Sequence, residues 1–150
     1  MEYKKDTRTK NLTLRDIHVG DWVQEWNPTS ERYSPPMKVS CINYDGTVYL
    51  VPDDDNYCTP YETEIEYVDA LPITPELLKG FGFEIIKKVY PLGEYEVFYN
   101  NKKMCEIWEY NNIYEIATPC HSYWYFHQFI DDIYERFPEI LKLEWKGIER

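Results

Sequence analysis

Short runs of strand-forming residues, separated by turn dipeptides, are the feature that most limits the folds open to this chain of 150 residues. The clearest case lies between residues 37 and 51. Residues 37–42 alternate apolar and polar side chains, and residues 47–51 are rich in β-branched and aromatic residues. Asp45-Gly46 lies between the two runs, and Asp-Gly readily adopts the positive φ that short hairpin turns need. The pattern therefore predicts a hairpin.

A second hairpin is predicted around Asn100-Asn101-Lys102, which separates the strand-like runs 95–99 and 104–110. Asn111-Asn112 then predicts a turn into a further strand over residues 113–117. Two more short strands are expected, over residues 64–68 and 84–89. The series of hairpins favours antiparallel pairing.

Two helices are predicted. Thr74-Pro75-Glu76 is typical of a helix start, with Thr74 as the cap and Pro75 at the first helical position. Gly80 or Gly82 would end this helix after about two turns. A longer helix is predicted over residues 122–137, because apolar residues recur there at spacings of three and four: Tyr123, Phe126, Ile130, Ile133 and Phe137.

The order of elements defines the expected fold class. Strands are followed by a short helix, more strands and a long helix. A final strand is expected where Leu141, Leu143 and Trp145 alternate with charged residues. This order predicts an α+β chain rather than alternating β-α units.

Two stretches resemble known small proteins. Residues 17–23 (IHVGDWV), followed by the Asp-Gly hairpin, resemble the opening of SH3-like barrels, where a Gly-Asp turn leads into the first strand. The series that continues through residues 73–78 (ITPELL) to Gly82-Phe83-Glu84 resembles uncharacterised small proteins of gut bacteria and their prophages. This resemblance covers most of the chain. It implies no activity, but it favours a protein encoded by a mobile element.

The resemblance and the predicted elements together suggest a domain organisation. Residues 1–11 are polar and predict a disordered tail. We expect an SH3-like β lobe, a small β-barrel, over residues 12–72. Residues 73–150 are expected to form an α+β lobe with the short helix, a β-hairpin, the long helix and the final strand, and to share one core with the first lobe.

Negative charge is concentrated in residues 39–78, which we call the acidic window. The window has nine carboxylates and no Lys, Arg or His, whereas the rest of the chain has 18 acids and 16 bases. It therefore supplies −9 of the formal net charge of −11. Such concentrated charge shapes the surface potential and the choice of partners. Two interpretations stay open: a solvated face that keeps the protein soluble, or a docking face for a basic protein.

Composition argues against several classes of protein. The hydrophobic content of 43% excludes a disordered acidic tail, and the net charge of −11 argues against direct binding to nucleic acid. No apolar run approaches the roughly 20 residues of a membrane span. The polar start has no features of a signal peptide. We therefore expect a cytoplasmic protein with four free thiols: Cys41, Cys58, Cys105 and Cys120.

Metal and catalytic chemistry receive little support. Cys120-His121, with His127 and Cys105, lacks the closely paired cysteines of structural zinc sites. Residues 53–64 begin with Asp and end with Glu like an EF-hand loop, but Cys58 stands where that loop requires Gly. No nucleophile motif or Gly-rich phosphate loop is present in the sequence. The sequence predicts no cofactor, no metal site and no catalytic residue, with weak cation binding at residues 53–55 left open.

The primary hypothesis is a non-enzymatic protein-interaction module whose partner is a protein, plausibly a basic one. Aromatic residues are 17% of the chain and supply contact area at binding faces. One alternative is an acidic charge mimic that inhibits a nucleic-acid-binding protein, and another is a small enzyme of unrecognised type. The candidate contact residues are the aromatic Trp22, Trp26, Tyr33 and Tyr49, with the acidic Asp53, Asp54 and Asp55 setting the charge preference.

Overall fold

The computed structural model of this protein contains two antiparallel sheets, one in each of two units. The N-terminal unit comprises residues 1–71 and the C-terminal unit residues 72–150. The structure describes residues 6–52, 60–118, 121–134, 136–138 and 143–147. Mostly antiparallel sheet with two short helices confirms the predicted α+β class in its coarse form. In the described residues, no helix is long and apolar enough to cross a membrane.

In the N-terminal unit, strand β1 pairs with three different neighbours. Its first two residues pair with β3, the next two with β6 and the last two with β2. The sheet order is β2-β1-β3-β4-β5, and β6 pairs with β1 outside this path. The described elements are β1 (Trp22–Asn27), β2 (Arg32–Tyr33), β3 (Met37–Ile42), β4 (Thr47–Pro52), β5 (Tyr61–Glu64), a 3-10 helix (Ile65–Tyr67) and β6 (Val68–Asp69).

The hairpin predicted around Asp45-Gly46 is confirmed by strands β3 and β4. Gly46 has a φ of +97°, a conformation that a residue without a Cβ adopts without strain. The Asp45 carboxylate accepts a hydrogen bond from the Thr47 amide at 2.9 Å and so closes the turn. Val48 and Leu50 on β4 are fully buried and contribute to the core of the unit.

The first described segment of the chain, residues 6–11, is bound to the sheet, and we call it the N-terminal clasp. The sequence predicts a disordered tail over residues 1–11; in the structure residues 6–11 contact the sheet, while residues 1–5 lie outside the described part of the chain. The Arg8 guanidinium pairs with the buried carboxylate of Asp69 on β6. The sequence gives no sign of these contacts, because polar, exposed residues carry no periodicity and the contacts are hydrogen bonds to distant residues.

Residues 64–68 were predicted as one strand, but they span the end of β5, the 3-10 helix and the start of β6. The side-chain amide nitrogen of Asn11 in the N-terminal clasp lies 2.9–3.1 Å from the carbonyl oxygens of Ile65, Glu66 and Val68, so that its two N–H groups are shared among them. Backbone acceptors satisfied in this way do not need a neighbouring strand. The clasp therefore stabilises a local structure that residues 64–68 do not specify by themselves.

In the C-terminal unit, two turns carry asparagine pairs with positive φ. Asn100 and Asn101 have φ of 51° and 65°, and Asn111 and Asn112 have 49° and 68°. Two such residues in succession favour tight hairpins, so both predicted turns are confirmed. The sheet order is β11-β10-β9-β8-β7. Its strands are β7 (Glu84–Lys87), β8 (Glu94–Tyr99), β9 (Lys102–Tyr110), β10 (Ile113–Ala117) and β11 (Ser122–Tyr123).

Helix α1 (Pro75–Gly80) confirms the predicted helix start. The Thr74 hydroxyl accepts a hydrogen bond from the Leu77 amide at 3.0 Å, as expected of an N-cap. Helix α2 (Phe126–Ile133) is shorter than the prediction over residues 122–137. Tyr123 shares the helical spacing but pairs with β10 as part of β11, so that strand pairing overrides the local pattern.

Aromatic rings contribute contacts between helix and sheet to the core of the C-terminal unit. Phe81, just after α1, stacks on Phe126 of α2 with ring centroids 4.5 Å apart. Phe83 lies between the Tyr99 ring of β8 at 5.2 Å and the Phe129 ring of α2 at 6.3 Å. These rings join α2 to the sheet.

Residues 143–147, which we call the C-terminal clasp, form no strand. The predicted closing strand is therefore wrong for these residues, while residues 141–142 lie outside the described part of the chain. Leu143 is buried, and the Trp145 ring packs edge-on against Phe81 with centroids 5.0 Å apart. The Lys146 amide donates to the Gly80 carbonyl at 2.8 Å. This segment is held by packing against α1 rather than by a strand ladder.

Candidate binding cleft of the N-terminal unit

A cleft of about 350 Å³ lies between the end of β1 and strand β5. Strands β3 and β4 separate β1 from β5 in the sheet, so the sheet must curl for both strands to line one cleft. Its volume is at the lower end of the range found for ligand sites. The lining residues are Glu25, Trp26, Asn27, Pro28, Tyr61, Glu62, Thr63, Glu64 and Tyr67.

Three aromatic residues give the cleft apolar surface. Trp26 is 8% exposed, and its indole is fixed by the Tyr33 ring, which meets it edge-on with centroids 4.9 Å apart. Tyr61 is 47% exposed and presents its ring to solvent. Tyr67 of the 3-10 helix is half-buried. Rings of this kind offer large contact area while losing few rotatable bonds on binding.

Three carboxylates, those of Glu25, Glu62 and Glu64, line the same cleft, and its lining residues include no Lys, Arg or His. The negative charge of Glu25 raises the pKa of the Tyr61 phenol. A hydrogen bond with Glu66, reinforced by the charge of that residue, raises the pKa of Glu64. Neighbouring negative charge contributes to both shifts, and a bound cation would offset that contribution.

Strand β5 forms one wall of the cleft and, in the described part of the chain, pairs only with β4. Its register places Tyr61 opposite Leu50 and Glu62 opposite Tyr49. An edge strand of this kind presents backbone donors and acceptors to which an extended segment can add. The wall therefore offers backbone groups beside exposed acidic and aromatic side chains.

The acidic window does not form one uniform surface. Glu62, Glu64 and Glu66 are exposed on β5 and the 3-10 helix, and Asp45 is exposed at the β3–β4 turn. Asp69, in contrast, is fully buried beneath the N-terminal clasp. The exposed charge of the window, within the described residues of this unit, is thus focused on the cleft and the adjoining turn.

The predicted contact residues occupy different environments. Trp26 lines the cleft, and Tyr33 packs against it with its hydroxyl donating to Asp69 at 2.5 Å. Trp22 is 2% exposed and belongs to the core, where it has no surface for a partner. Tyr49 is half-buried on β4. Asp53, Asp54 and Asp55 lie outside the described residues.

Several residues of the cleft were not among the predicted contacts. Tyr61, Glu62, Glu64 and Tyr67 carry a detectable signal, since acids and tyrosines are interleaved over residues 61–67. Glu25 carries no such signal, because it lies outside the acidic window and reaches the cleft only through the curl of the sheet.

Each unit, considered separately, has its own nucleophilic and metal-binding groups. Burial raises the pKa of the Cys105 thiol to about 12, which removes the reactive thiolate at neutral pH. Cys41 is exposed and Cys105 is buried, and neither forms a disulfide. Neither unit by itself brings three His, Cys, Asp or Glu ligand atoms within 4.8 Å of one another in its described residues. The cleft itself offers aromatic surface and carboxylates, which suit positively charged groups with an apolar stem.

Comparison of the chain with models of known protein families, with curated proteins and with solved structures finds no match.

Proposed function

We propose that the N-terminal unit is a non-enzymatic interaction module that binds an extended basic segment of a partner protein in the β1–β5 cleft. The observation that carries the proposal is the lining of the cleft, which combines three aromatic residues with three carboxylates and includes no cationic side chain. A basic segment complements both features, because its charged ends meet the carboxylates while its aliphatic stems cover the rings.

The proposed binding mode uses β5 as a template. The segment would pair with the edge of β5 and place alternate side chains over Tyr61 and beside Glu62 and Glu64. The carboxylates would speed encounter and set the preference for positive charge, and this contribution would weaken as salt screens it. The aromatic contacts would supply the part of the affinity that salt does not remove.

The SH3-like identity of residues 12–72 belongs to the same proposal. A curled antiparallel sheet with a cleft between nonadjacent strands is consistent with a small barrel, and the cleft contains Trp26 beside acidic residues. An origin in a mobile element stays a prediction from the sequence resemblance.

The two alternative functions receive less support. A charge mimic of nucleic acid needs its carboxylates at the surface, but Asp69 of the acidic window is buried against Arg8. An enzyme needs a reactive group in a site, and the pKa of the buried Cys105 thiol is raised away from reactivity.

The test uses a fluorescein-labelled peptide of alternating lysine and valine as the basic probe. Amide NMR shifts in the full chain should map its binding to residues 61–64 and Trp26, and anisotropy should give an affinity that falls as salt rises. The double variant Glu62→Gln/Glu64→Gln should weaken binding by about tenfold at low salt. Tyr61→Ala should weaken the binding that remains at high salt.

A matched control removes the same charge from the other unit. Glu84→Gln/Glu115→Gln lies on β7 and β10, outside the cleft, and should leave the affinity for the peptide unchanged. If the control variant lost as much affinity for the peptide, the loss would follow the net charge of the protein and not the position of the carboxylates, which would contradict the proposal. Shifts that avoid residues 61–64, or equal binding of a peptide of alternating glutamate and valine, would also contradict it.

A further inference from the structure

A second group of side chains in the N-terminal unit surrounds one guanidinium. Asp69 on β6 is 0% exposed, and its carboxylate accepts hydrogen bonds from three side chains. Arg8 Nε donates to Oδ2 at 2.9 Å while Arg8 Nη2 donates to Oδ1. The Tyr33 hydroxyl donates to Oδ2 at 2.5 Å, and Asn11 donates to Oδ1 at 3.3 Å.

The contacts of Arg8 match the shape of a guanidinium and not merely its charge. Two nitrogens meet the two oxygens of one carboxylate, which is the bidentate geometry that a planar fork allows. Nη2 also donates to the Glu66 carbonyl at 3.0 Å, and Cζ lies 5.6 Å from the centroid of the Trp26 ring. A lysine ammonium is a single point of charge and cannot make this set of contacts together.

The residues that receive Arg8 belong to the sheet and the 3-10 helix, whereas Arg8 belongs to the clasp. Asp69, Tyr33 and Trp26 lie on three strands, β6, β2 and β1. The residues of the clasp are exposed, and the Arg8 side chain itself keeps 37% of its surface in solvent. A guanidinium from solution therefore has a route to the same position once Arg8 is removed or displaced.

We propose that Asp69, Tyr33, Trp26 and the Glu66 carbonyl form an arginine-recognition site, which Arg8 fills in cis and which an arginine of a separate basic segment fills in its place. The occupant is an arginine-bearing segment because the structure shows a guanidinium with every contact in place. This inference does not depend on the function proposed for the cleft, although Trp26 contributes to both.

The first test is chemical rescue in the full chain. Arg8→Ala should unfold at a lower temperature than wild type, and millimolar ethylguanidinium should raise its midpoint by about 2–4 °C as the vacated site fills. Such concentrations are far below the molar range in which guanidinium denatures proteins. Ethylammonium should give no rise, nor should ethylguanidinium acting on wild type or on Arg8→Ala/Asp69→Asn.

The second test supplies the arginine on a peptide. A labelled peptide of residues 6–11 should bind Arg8→Ala by anisotropy, and the same peptide carrying the Arg8→Lys change should bind at least about tenfold more weakly. If Arg8→Ala does not fold alone, the tests are made on Arg8→Lys, which keeps a positive charge at the site. The cleft variant Glu62→Gln/Glu64→Gln, combined with the Arg8 change, should keep the rescue by ethylguanidinium, which separates this site from the cleft.

Three results would overturn the inference. One is an equal effect of ethylammonium and ethylguanidinium, which would leave only charge neutralisation. Another is an equal rise in midpoint with ethylguanidinium in Arg8→Ala and in Arg8→Ala/Asp69→Asn. The third is absence of any guanidinium-specific rise in both Arg8→Ala and Arg8→Lys, which would make the pair a purely intramolecular contact.

Discussion

Each unit is closed by a short segment that is distant in sequence from the residues it contacts, but the two segments use different chemistry. The N-terminal clasp places the Arg8 guanidinium on the buried Asp69 carboxylate and adds hydrogen bonds from Asn11. The C-terminal clasp buries Leu143 and packs the Trp145 ring against Phe81. One closure depends on the geometry of polar groups, and the other on apolar area and shape.

The difference determines how each closure responds to its surroundings. A polar contact has a defined chemical partner, so a competing group with the same geometry can replace it. An apolar contact has no such single partner, and its stability follows the area removed from water. We therefore expect the N-terminal clasp to be exchangeable and sensitive to conditions, and the C-terminal clasp to be neither.

The largest expected effect comes from Arg8→Ala, which leaves the Asp69 carboxylate buried without its cation. Loss of one partner of a buried pair is strongly destabilising, and with the partial exposure of Arg8 we expect about 3 kcal/mol less free energy of unfolding. Urea denaturation followed by amide signals of the N-terminal unit measures this value. Arg8→Lys should lose less; equal losses in the two variants would contradict a role for residual charge.

Trp145→Ala tests the apolar closure and should cost about 2 kcal/mol, less than a fully buried tryptophan because this ring is half-buried. The same denaturation experiment, read from amides of the C-terminal unit, measures the loss. Added salt should change the contribution of Arg8 but not that of Trp145, since only charges are screened. If salt changed the stability contributions of Arg8 and Trp145 equally, the two clasps would not differ in chemistry as proposed.

Gly80→Ala sharpens the comparison because it adds volume without charge. A Cβ on Gly80 would overlap the Trp145 ring, so the ring must shift. Overpacking costs about 1–3 kcal/mol, and the gain in helix propensity offsets up to about 1 kcal/mol of this. Thermal unfolding of Gly80→Ala, alone and combined with Trp145→Ala, tests the cause: the double variant should not show the penalty of overlap.

The smallest expected effects are opposite responses of the two units to pH. The pKa of Glu64 is raised by Glu66, so its contribution to stability is present at low pH and lost as the pH rises through the folded value. The pKa of Glu106 is lowered by a hydrogen bond from Lys88, so its contribution is lost as the pH falls. As the pH falls from 7 towards the ordinary carboxyl value of 4.5, amides of β5 should gain protection, whereas those of β9 should lose protection only as the pH falls further below 4.5.

Hydrogen exchange in wild type, Glu66→Gln and Glu106→Gln measures both responses. Glu66→Gln should remove the pH response at β5 but leave that at β9, and Glu106→Gln should do the reverse. Parallel responses in all three proteins would show that neither pair accounts for the local behaviour.

Local chemistry made part of this structure predictable. Asp45-Gly46, the two asparagine pairs and the Thr74-Pro75 helix start each specify their own conformation, so sequence reasoning located those turns and α1. The failures share one cause, which is pairing with other segments of the chain that the local pattern does not encode. Tyr123 follows a helical spacing yet joins a strand, and residues 65–67 depend on Asn11 for hydrogen bonds.

The candidate site divides in the same way. The interleaved acids and tyrosines around β5 are visible in the sequence, and so is Trp26 as an aromatic candidate. Glu25 becomes part of the site only when the sheet curls, and Trp22 is removed from it by burial. Composition can therefore indicate the chemical character of a binding surface, whereas the residues that line it depend on which strands come together in the fold.

The changing partners of β1 have a consequence for how the N-terminal unit is synthesised. Residues 24 and 25 of β1 pair with Asp69 and Val68, and the Arg8 side chain also binds Asp69. Closing loops of this length carries an entropy cost that local hairpins such as β3–β4 avoid. On the ribosome, we expect the β3–β4 hairpin to form early, while residues 6–11 find their final contacts only after residue 69 has left the exit tunnel.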